Sequence, residues 1–311
     1  MLKLEGGLKK KGLFNKKTTK EKPLTISIIT PVYNGEKYIT ETIESIIYQR
    51  GDFEIEYIIV DGASSDKTIS IVKKYQDMLN SGECLINCKK VSIIFISEKD
   101  EGMYHALVKG FKLATGDIVA YVNSDDFYLP NAFSTVVDIF LTYPEVEWLT
   151  GMPVNYNEKG QIIGCFLPFN YNVDLIRKGI YGPTLVFIQQ ESIFWRAKLL
   201  NFLDFTNLKN YKFAGDFYMW YTFSKHTDFY IVQSCLGGFR GHRNQLSKQI
   251  SEYYREFYSI AEKKTFLDIT KAYLYKVATY FLPNRIKRKL NKKIIYYYNG
   301  KWIKENRKAN M

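Results

Sequence analysis

The sequence of 311 residues has no long apolar run. No segment approaches the roughly 18 consecutive apolar residues that a membrane-spanning helix needs, and the N-terminus lacks the apolar core of a signal peptide. We therefore expect an intracellular, cytoplasmic protein.

Cysteine is scarce as well. The four Cys residues are too few and too scattered for a disulfide framework, and no second Cys pair or His cluster completes a zinc site around Cys84 and Cys88.

The sequence also lacks the marks of phosphate-loop and nucleic-acid enzymes. It contains neither a Walker A loop nor a GxGxxG pattern. Its formal charge of +12 is concentrated at the ends: residues 1–22 contain eight Lys and two acidic residues, and residues 251–311 contain 15 Lys or Arg and five acidic residues. The part between them is therefore slightly acidic, and a basic groove through the core is not indicated. We expect no nucleic-acid partner.

From Leu24 onwards, strand-like apolar runs alternate with segments of helical periodicity. The predicted strands cover 24–32, 56–61, 91–97 and 117–122, and apolar residues recur at helical spacing after each. This alternation predicts an α/β fold with a mainly parallel central sheet flanked by helices. Ligands bind such sheets beyond the carboxyl ends of the strands.

Beyond Val146 the pattern is less regular. We predict a hairpin within 146–164, a short helix over 190–200, and a helix that opens at Gly215–Asp216 and continues to Phe223. Past Ser247 the chain is rich in Lys and Tyr, and we predict that it is helical.

Adjacent acids at the end of the fourth predicted strand, Asp125 and Asp126, are the sharpest chemical feature. Two carboxylates there suit a hard divalent cation, which prefers oxygen ligands. The alternative is that both acids cap the helix that follows near Pro130. Asp61 ends the second strand in the same way: it could accept hydrogen bonds from a nucleotide base or ribose, or only stabilise the turn in DGASSD.

Seven segments, in order, resemble the family 2 glycosyltransferases, the inverting enzymes of the GT-A fold. They are ISIITPVYNGEKYI (26–39), YIIVDGASSDKT (57–68), SEKDEGMYHALVKG (97–110), GDIVAYVNSDDFY (116–128), QQESIFWR (189–196), AGDFYMW (214–220) and GGFRGHRNQLS (237–247). The resemblance covers roughly residues 24–247. It implies a GT-A-like domain over that range, with a nucleotide-binding half at about 24–128 and an acceptor half at about 129–247. A basic arm (1–23) precedes the domain and a basic, Tyr-rich helical tail (248–311) follows it.

The resemblance also implies roles for individual residues. The nucleotide-sugar donor would be bound by Pro31, Tyr33, Asp61, Ser64, Glu98, Asp100, Gly102, Asn123, Asp125, Arg240 and His242. The last two stand in a loop, 238–247, that would close over the diphosphate together with Arg243. Mg²⁺ or Mn²⁺ would be held by Asp125 with Asp126.

Asp216 matches the family's catalytic base and Gln190 the helix start that faces the acceptor. This chain departs from the family's pattern at three positions: Asn123 replaces the usual acid, Gly215 replaces a frequent Glu, and Gln189 replaces a common His. Asp216 would take the proton of an acceptor hydroxyl, and a single displacement would invert the anomeric carbon.

The implied function is metal-dependent transfer of a hexosyl group. The donor would be a nucleoside-diphosphate-sugar, usually of uridine in this family, and the acceptor a glycan or lipid-linked molecule in surface polysaccharide assembly. A non-catalytic nucleotide-sugar-binding or scaffold protein on the same fold is the alternative.

An apolar stripe with flanking lysines marks the C-terminal segment. Phe266, Ile269, Tyr273, Val277 and Tyr280 recur at helical spacing, and RIKRKLNKK follows. This pattern suits an amphipathic helix on an anionic membrane surface, so that the enzyme would be peripheral on the cytoplasmic face. A helix packed on the enzyme with a solvated basic face is the other interpretation.

Overall fold

The computed structural model of the protein describes residues 22–242 and 249–305. The strands in these ranges are β1 (Thr25–Val32), β2 (Glu54–Asp61), β3 (Lys90–Ser97), β4 (Ile118–Tyr121), β5 (Phe127–Tyr128), β6 (Trp148–Thr150), β7 (Val154–Tyr156), β8 (Ile162–Cys165), β9 (Ile193–Arg196), β10 (Tyr230–Val232), β11 (Gly237–Arg240), β12 (Ile294–Tyr298) and β13 (Lys301–Lys304).

The α-helices are α1 (Ile39–Ile47), α2 (Thr68–Asn80), α3 (Met103–Leu113), α4 (Ala132–Thr142), α5 (Val173–Arg177), α6 (Phe205–Leu208), α7 (Gly215–Phe223), α8 (Ile250–Ile260), α9 (Phe266–Phe281) and α10 (Asn284–Leu290). Two 3₁₀ helices cover Gln190–Ser192 and Ala197–Phe202.

A nine-stranded sheet forms the centre of the molecule, in the order β13-β12-β10-β6-β9-β4-β1-β2-β3. The strands β4, β1, β2 and β3 are mutually parallel. Both faces of this part are covered, since neighbouring residues of β2 enter opposite cores: Tyr57 and Ile59 lie in one, and Ile58 and Val60 in the other. A second sheet has four strands in the order β5-β11-β7-β8.

The predicted alternation of strands and helices is confirmed from Thr25 to Thr142, with ends that shift by two residues or fewer. The predicted hairpin is formed by β7 and β8. The predicted helix over 190–200 is wrong at its centre, because Ile193–Arg196 forms β9, which pairs with β4 and β6. The apolar run of β9 is buried on both sides: Phe194 lies in one core and Trp195 in the other, and both are fully buried. Periodicity alone does not separate a short buried strand from a buried helix.

The C-terminal segment is helical only as far as Leu290. The predicted helical continuation is wrong for 294–304, where β12 joins the main sheet beside β10 and then pairs with β13. The segment shares the core of the rest of the chain, through Phe257, Ala272 and Ile294. None of the helices in the described ranges combines the length and apolarity needed to cross a bilayer.

Candidate active site

A cleft of about 840 Å³ opens at the carboxyl ends of the parallel strands. Seven residues that the sequence predicts for donor binding line it: Pro31, Tyr33, Asp100, Gly102, Asn123, Asp125 and His242. The strand-end rule therefore brings together residues that are more than 200 positions apart in the sequence.

The first wall of the cleft is the loop after β1, which is hydrogen-bonded to the loop after β2. Asn34 has a left-handed backbone (φ 50°), and its side-chain oxygen accepts from the Ser65 N–H at 2.9 Å. The Ser64 hydroxyl oxygen accepts from the Asn34 N–H at 2.7 Å. The two loops therefore form one rigid edge below the exposed ring of Tyr33.

Asp61 lies beneath this edge rather than on the cleft surface. Its side chain is fully buried and accepts hydrogen bonds from the Ser64 N–H at 3.0 Å, the Ser64 hydroxyl and the Ser97 hydroxyl at 2.7 Å. Contact between Asp61 and a base would require the loops above it to open, because the carboxylate is fully buried. The structure thus gives Asp61 and Ser64 a loop-stabilising role, and their donor contacts stay predictions.

The loop after β3 contributes Asp100 and Gly102. The Asp100 carboxylate accepts from the Gly102 N–H at 2.9 Å, and Gly102 has a φ of 132°, a conformation that favours glycine. Glu98 does not line the cleft: its exposed carboxylate forms an ion pair with Lys109 at 2.7 Å.

Asp125 and Asn123 reach the cleft from the end of β4. The Asp125 carboxylate lies 2.7 Å from Nε2 of His242, whose ring packs on Tyr38 with centroids 5.1 Å apart. The buried side-chain oxygen of Asn123 has no hydrogen-bond partner among the described residues. The end of β4 therefore places two oxygen-bearing side chains at the cleft, a carboxylate paired with His242 and an amide whose oxygen has no partner among the described residues.

Asp126 does not face the cleft, which corrects the prediction of a paired metal site. Its side chain is almost completely buried, and one carboxylate oxygen accepts from the Arg240 N–H at 2.8 Å. Burial raises the pKa of Asp126 well above its ordinary value, and the charges of Asp125 and Glu191 add to this. Asp126 fastens β11 to the end of β4.

Arg240 is also buried, although the sequence predicts a diphosphate contact. Its side chain is 2% exposed and forms an ion pair with Glu41. Its guanidinium donates to the backbone oxygen of Asp125 at 3.0 Å and to that of Glu158 at 3.3 Å. We therefore correct its role: Arg240 supports the backbone of Asp125 from below. Arg243 and the second half of the predicted closing loop, 243–247, lie outside the described residues.

The predicted base, Asp216, stands in the first turn of α7 in a strongly desolvated position. Burial raises the pKa of its carboxyl to about 7, against the lowering effect of the Phe217 N–H and of the Tyr104 and Tyr253 side chains. The Tyr104 hydroxyl donates its proton to the Phe213 carbonyl at 3.0 Å. The Tyr253 side chain is therefore the neighbouring hydroxyl whose proton that bond does not use. A carboxylate with a pKa near neutrality is suited to general base catalysis.

The helix that carries Asp216 has no side-chain cap of its own at Ala214. Glu256 on α8 takes this role: one carboxylate oxygen accepts from the N–H groups of Phe213 and Ala214, both at 2.8 Å. The C-terminal segment therefore contributes directly to the backbone that positions Asp216.

Gln190 and Glu191 lie in the 3₁₀ helix before β9. Both polar atoms of the Gln190 amide, and one carboxylate oxygen of Glu191, are buried without a partner among the described residues. Burial, with smaller contributions from the charges of Asp125 and Asp216, raises the pKa of Glu191 to about 8. Glu191 is therefore a buried carboxyl that is influenced by the charge of both the cleft aspartate and the predicted base.

Comparison with known proteins supplies the family. Residues 27–250, most of the chain, match the family described as Glycosyl transferase family 2. The chain belongs to this family.

The chain is similar to two curated bacterial proteins over part of its length. It is 37% identical over 107 residues to "Poly(ribitol-phosphate) beta-N-acetylglucosaminyltransferase TarS" of Staphylococcus aureus, which is 33% of this chain and 17% of TarS. It is 30% identical over 133 residues to "Minor teichoic acid biosynthesis protein GgaB" of Bacillus subtilis, which is 42% of this chain and 14% of GgaB. The similarity thus spans less than a fifth of either relative.

Solved structures share the fold. The crystal structure of S. aureus TarS 1-349 in complex with UDP-GlcNAc has a TM-score of 0.52 at 18% identity, covering 86% of this chain and 70% of that one. The mannosyltransferase PcManGT from Pyrobaculum calidifontis, in complex with GDP-Man and Mn²⁺, has a TM-score of 0.51 at 16% identity, covering 84% and 71%. The predicted GT-A-like α/β fold is confirmed.

Four residues around Asp216 were not predicted from the sequence: Tyr104, Glu191, Tyr253 and Glu256. Tyr104 and Glu191 stand inside motifs that carry the resemblance, so their positions, though not their contacts, were visible. Tyr253 and Glu256 stand in the segment that the sequence describes as a tail, and no local pattern connects them with Asp216.

Proposed function

We propose that this protein is a metal-dependent inverting glycosyltransferase. Its donor is a nucleoside-diphosphate-sugar, with uridine as the base, and its acceptor is a hydroxyl group of a glycan or a lipid-linked molecule. The proposal rests mainly on Asp216, a carboxyl whose pKa is raised to about 7 and whose charge acts, together with that of Asp125 at the donor cleft, on one buried group, Glu191.

The chemistry follows from these positions. The acceptor oxygen attacks the anomeric carbon while Asp216 takes the hydroxyl proton. A carbon–oxygen bond forms on one face of the sugar, and the bond to the diphosphate breaks on the other. The nucleoside diphosphate leaves with the bonding electron pair, so one displacement inverts the anomeric configuration. The Tyr253 side chain lowers the pKa of Asp216, which keeps more of it ionised at neutral pH.

Asp125 and Asn123 offer a carboxylate and an otherwise unpartnered amide oxygen on the cleft side. These are the oxygen donors that Mg²⁺ and Mn²⁺ prefer. In the described ranges no cluster of three or more His, Cys, Asp or Glu side chains forms a protein-only cage, which agrees with a cation shared with the donor diphosphate. Such a cation would neutralise charge that develops on the departing diphosphate. Asp126 is left out of this role because its carboxylate is held by β11.

The choice of donor and pathway is supported by similarity. TarS, whose structure is known with UDP-GlcNAc, shares the fold, and both TarS and GgaB are named for teichoic acid or polyol-phosphate polymers. We therefore propose a UDP-sugar donor and a role in cell-surface polysaccharide assembly. A lipid-linked acceptor would be embedded in the membrane, so we also propose that the enzyme is peripheral on the cytoplasmic face of the membrane.

The decisive experiment measures release of nucleoside diphosphate from a panel of UDP- and GDP-sugars with Mn²⁺, Mg²⁺ or EDTA, with and without a polyol-phosphate or glycan acceptor. We expect release from a UDP-sugar that needs the metal and is lost in Asp216→Asn. Donor binding by calorimetry should persist in that variant. Wild-type turnover by Asp216→Asn would refute the assignment of the base, and tight donor binding without any turnover would favour a binding protein.

A further inference from the structure

Helix α9 turns its large apolar side chains outward. Phe266 is 81% exposed, Phe281 79% and Leu274 65%. Other members of this outward apolar stripe are Leu267, Ile269, Tyr273, Val277 and Tyr280. Exposure of so many large apolar side chains on one helix is unusual for a surface that only meets water.

The inward face of α9 explains why the helix is held in this orientation. Its buried residues are small or polar: Asp268, Ala272, Ala278 and Thr279. Asp268 caps the start of the helix through Thr265 and forms an ion pair with Lys178 of the acceptor half at 2.8 Å. Rotation of the helix to bury the apolar stripe would break that ion pair. Helix α9 is therefore packed on the rest of the chain through its small and polar residues, and the apolar stripe faces outward.

The next helix is held just as firmly. The buried ammonium group of Lys287 on α10 donates to the backbone oxygens of Leu167 at 2.8 Å and Thr279 at 2.6 Å. Leu290 on the same helix is largely exposed. Helices α9 and α10 therefore form one rigid surface, fixed to the catalytic domain.

Basic residues surround the stripe. Residues 263–293 contain ten Lys or Arg and one acidic residue, Asp268, which is already paired with Lys178. Each residue of an α-helix is rotated by about 100° from the one before it. Lys271 and Lys276 of α9 therefore lie on opposite flanks of the stripe. Lys264, Arg285 and Lys289 are exposed beyond its ends.

The positive charge around the apolar stripe indicates what binds to this surface. A second copy of this chain meeting the same surface would bring one dense positive patch against another, without acidic partners. An anionic bilayer satisfies both parts of the surface, since the acyl boundary accepts the apolar side chains and the headgroups accept the lysines.

We propose that the outward face of α9, with its basic rim and α10, is the surface on which this enzyme lies flat on an anionic membrane. The proposal rests on the membrane location proposed above, but not on the transfer chemistry. Because α8, which carries Tyr253 and Glu256, directly precedes α9, the active site is held by the segment that meets the lipid.

The test is flotation of the full-length protein with vesicles of phosphatidylcholine alone or mixed with phosphatidylglycerol, at low and high salt. We expect binding to the anionic vesicles only, weakened by salt, and reduced at least about tenfold in a Leu274→Glu, Phe281→Glu double variant. Leu141→Glu, a 60% exposed leucine on α4, is the matched control and should bind as the wild type does.

Three results would overturn the proposal. They are undiminished binding by the double variant, equal loss in the Leu141→Glu control, and a wild-type dimer that the double variant converts to a monomer in sedimentation velocity. Circular dichroism and diphosphate release in solution should match those of the wild type, because the substituted side chains are exposed. If no sugar nucleotide is turned over but vesicle binding follows the expected pattern, only the catalytic proposal fails.

Discussion

The ring of Tyr104 lies directly against the backbone of Gly215, where a Cβ would come within 2.6–2.7 Å of the ring carbons. Real Cβ atoms do not approach carbon so closely, so position 215 has room only for glycine as long as Tyr104 is present. The Tyr104 ring, contributed from α3, occupies the space that a side chain at position 215 would need. This ring also fixes the loop before Asp216 through its bond to the Phe213 carbonyl.

Gly215→Ala should therefore destabilise the protein, by about 1–3 kcal/mol, although alanine is the better helix former. Urea unfolding of both proteins measures the difference. In a Tyr104→Ala background the same substitution should cost clearly less, since the ring is gone. An equal cost in the two backgrounds would show that the contact does not limit residue 215.

The rate should depend on pH through Asp216, which must be ionised to accept a proton. With a pKa of about 7, kcat/KM should fall about tenfold for each pH unit below that value and level off above it. Tyr253→Phe removes an interaction that lowers this pKa, so the acid limb should move to higher pH. A structural defect alone would reduce the rate by the same factor at every pH.

Glu256 should contribute both stability and activity. Glu256→Ala leaves the N–H groups of Phe213 and Ala214 without their acceptor, at a cost of about 2 kcal/mol, and loosens the backbone beside Asp216. Glu256→Gln keeps an acceptor oxygen and should lie between the two in urea unfolding and in turnover. The control is Glu252→Ala on the same helix, where only a surface pair with Arg255 is lost and where little change is expected. Equal effects at 252 and 256 would refute this role.

Substitutions of the adjacent acids Asp125 and Asp126 should have different effects on the metal requirement. Asp125→Asn should raise the Mn²⁺ or Mg²⁺ concentration needed for half-maximal diphosphate release by at least about tenfold, because a charged ligand is removed. Asp126→Asn keeps an oxygen that can accept from the Arg240 N–H, so its metal requirement should stay that of the wild type. Metal titrations of the three proteins decide the matter, and a shared shift in both variants would restore Asp126 as a ligand.

The first four strands and the donor cleft could be predicted from local sequence pattern. The strands β1 to β4 and their helices follow from hydrophobic periodicity, and the strand-end rule brings Pro31, Asp100, Asn123 and Asp125 to one cleft. Parallel strands have their carboxyl ends on one side, so this result needs no knowledge of distant contacts. The order of the seven motifs along the chain also predicts the family.

Burial and partners were decided by the tertiary structure. Asp125 and Asp126 are adjacent in sequence, yet only the packing of β11 determines which of them faces the ligand. Tyr253 lies near Asp216, and Glu256 binds the backbone just before it. Both do so because α8 folds back onto α7, where the rings of Phe217 and Phe257 stack. The stripe on α9 is periodic in the sequence, but periodicity does not tell whether an apolar face lies inside or outside. That depends on the long-range partners of the opposite face, here Lys178 with Asp268.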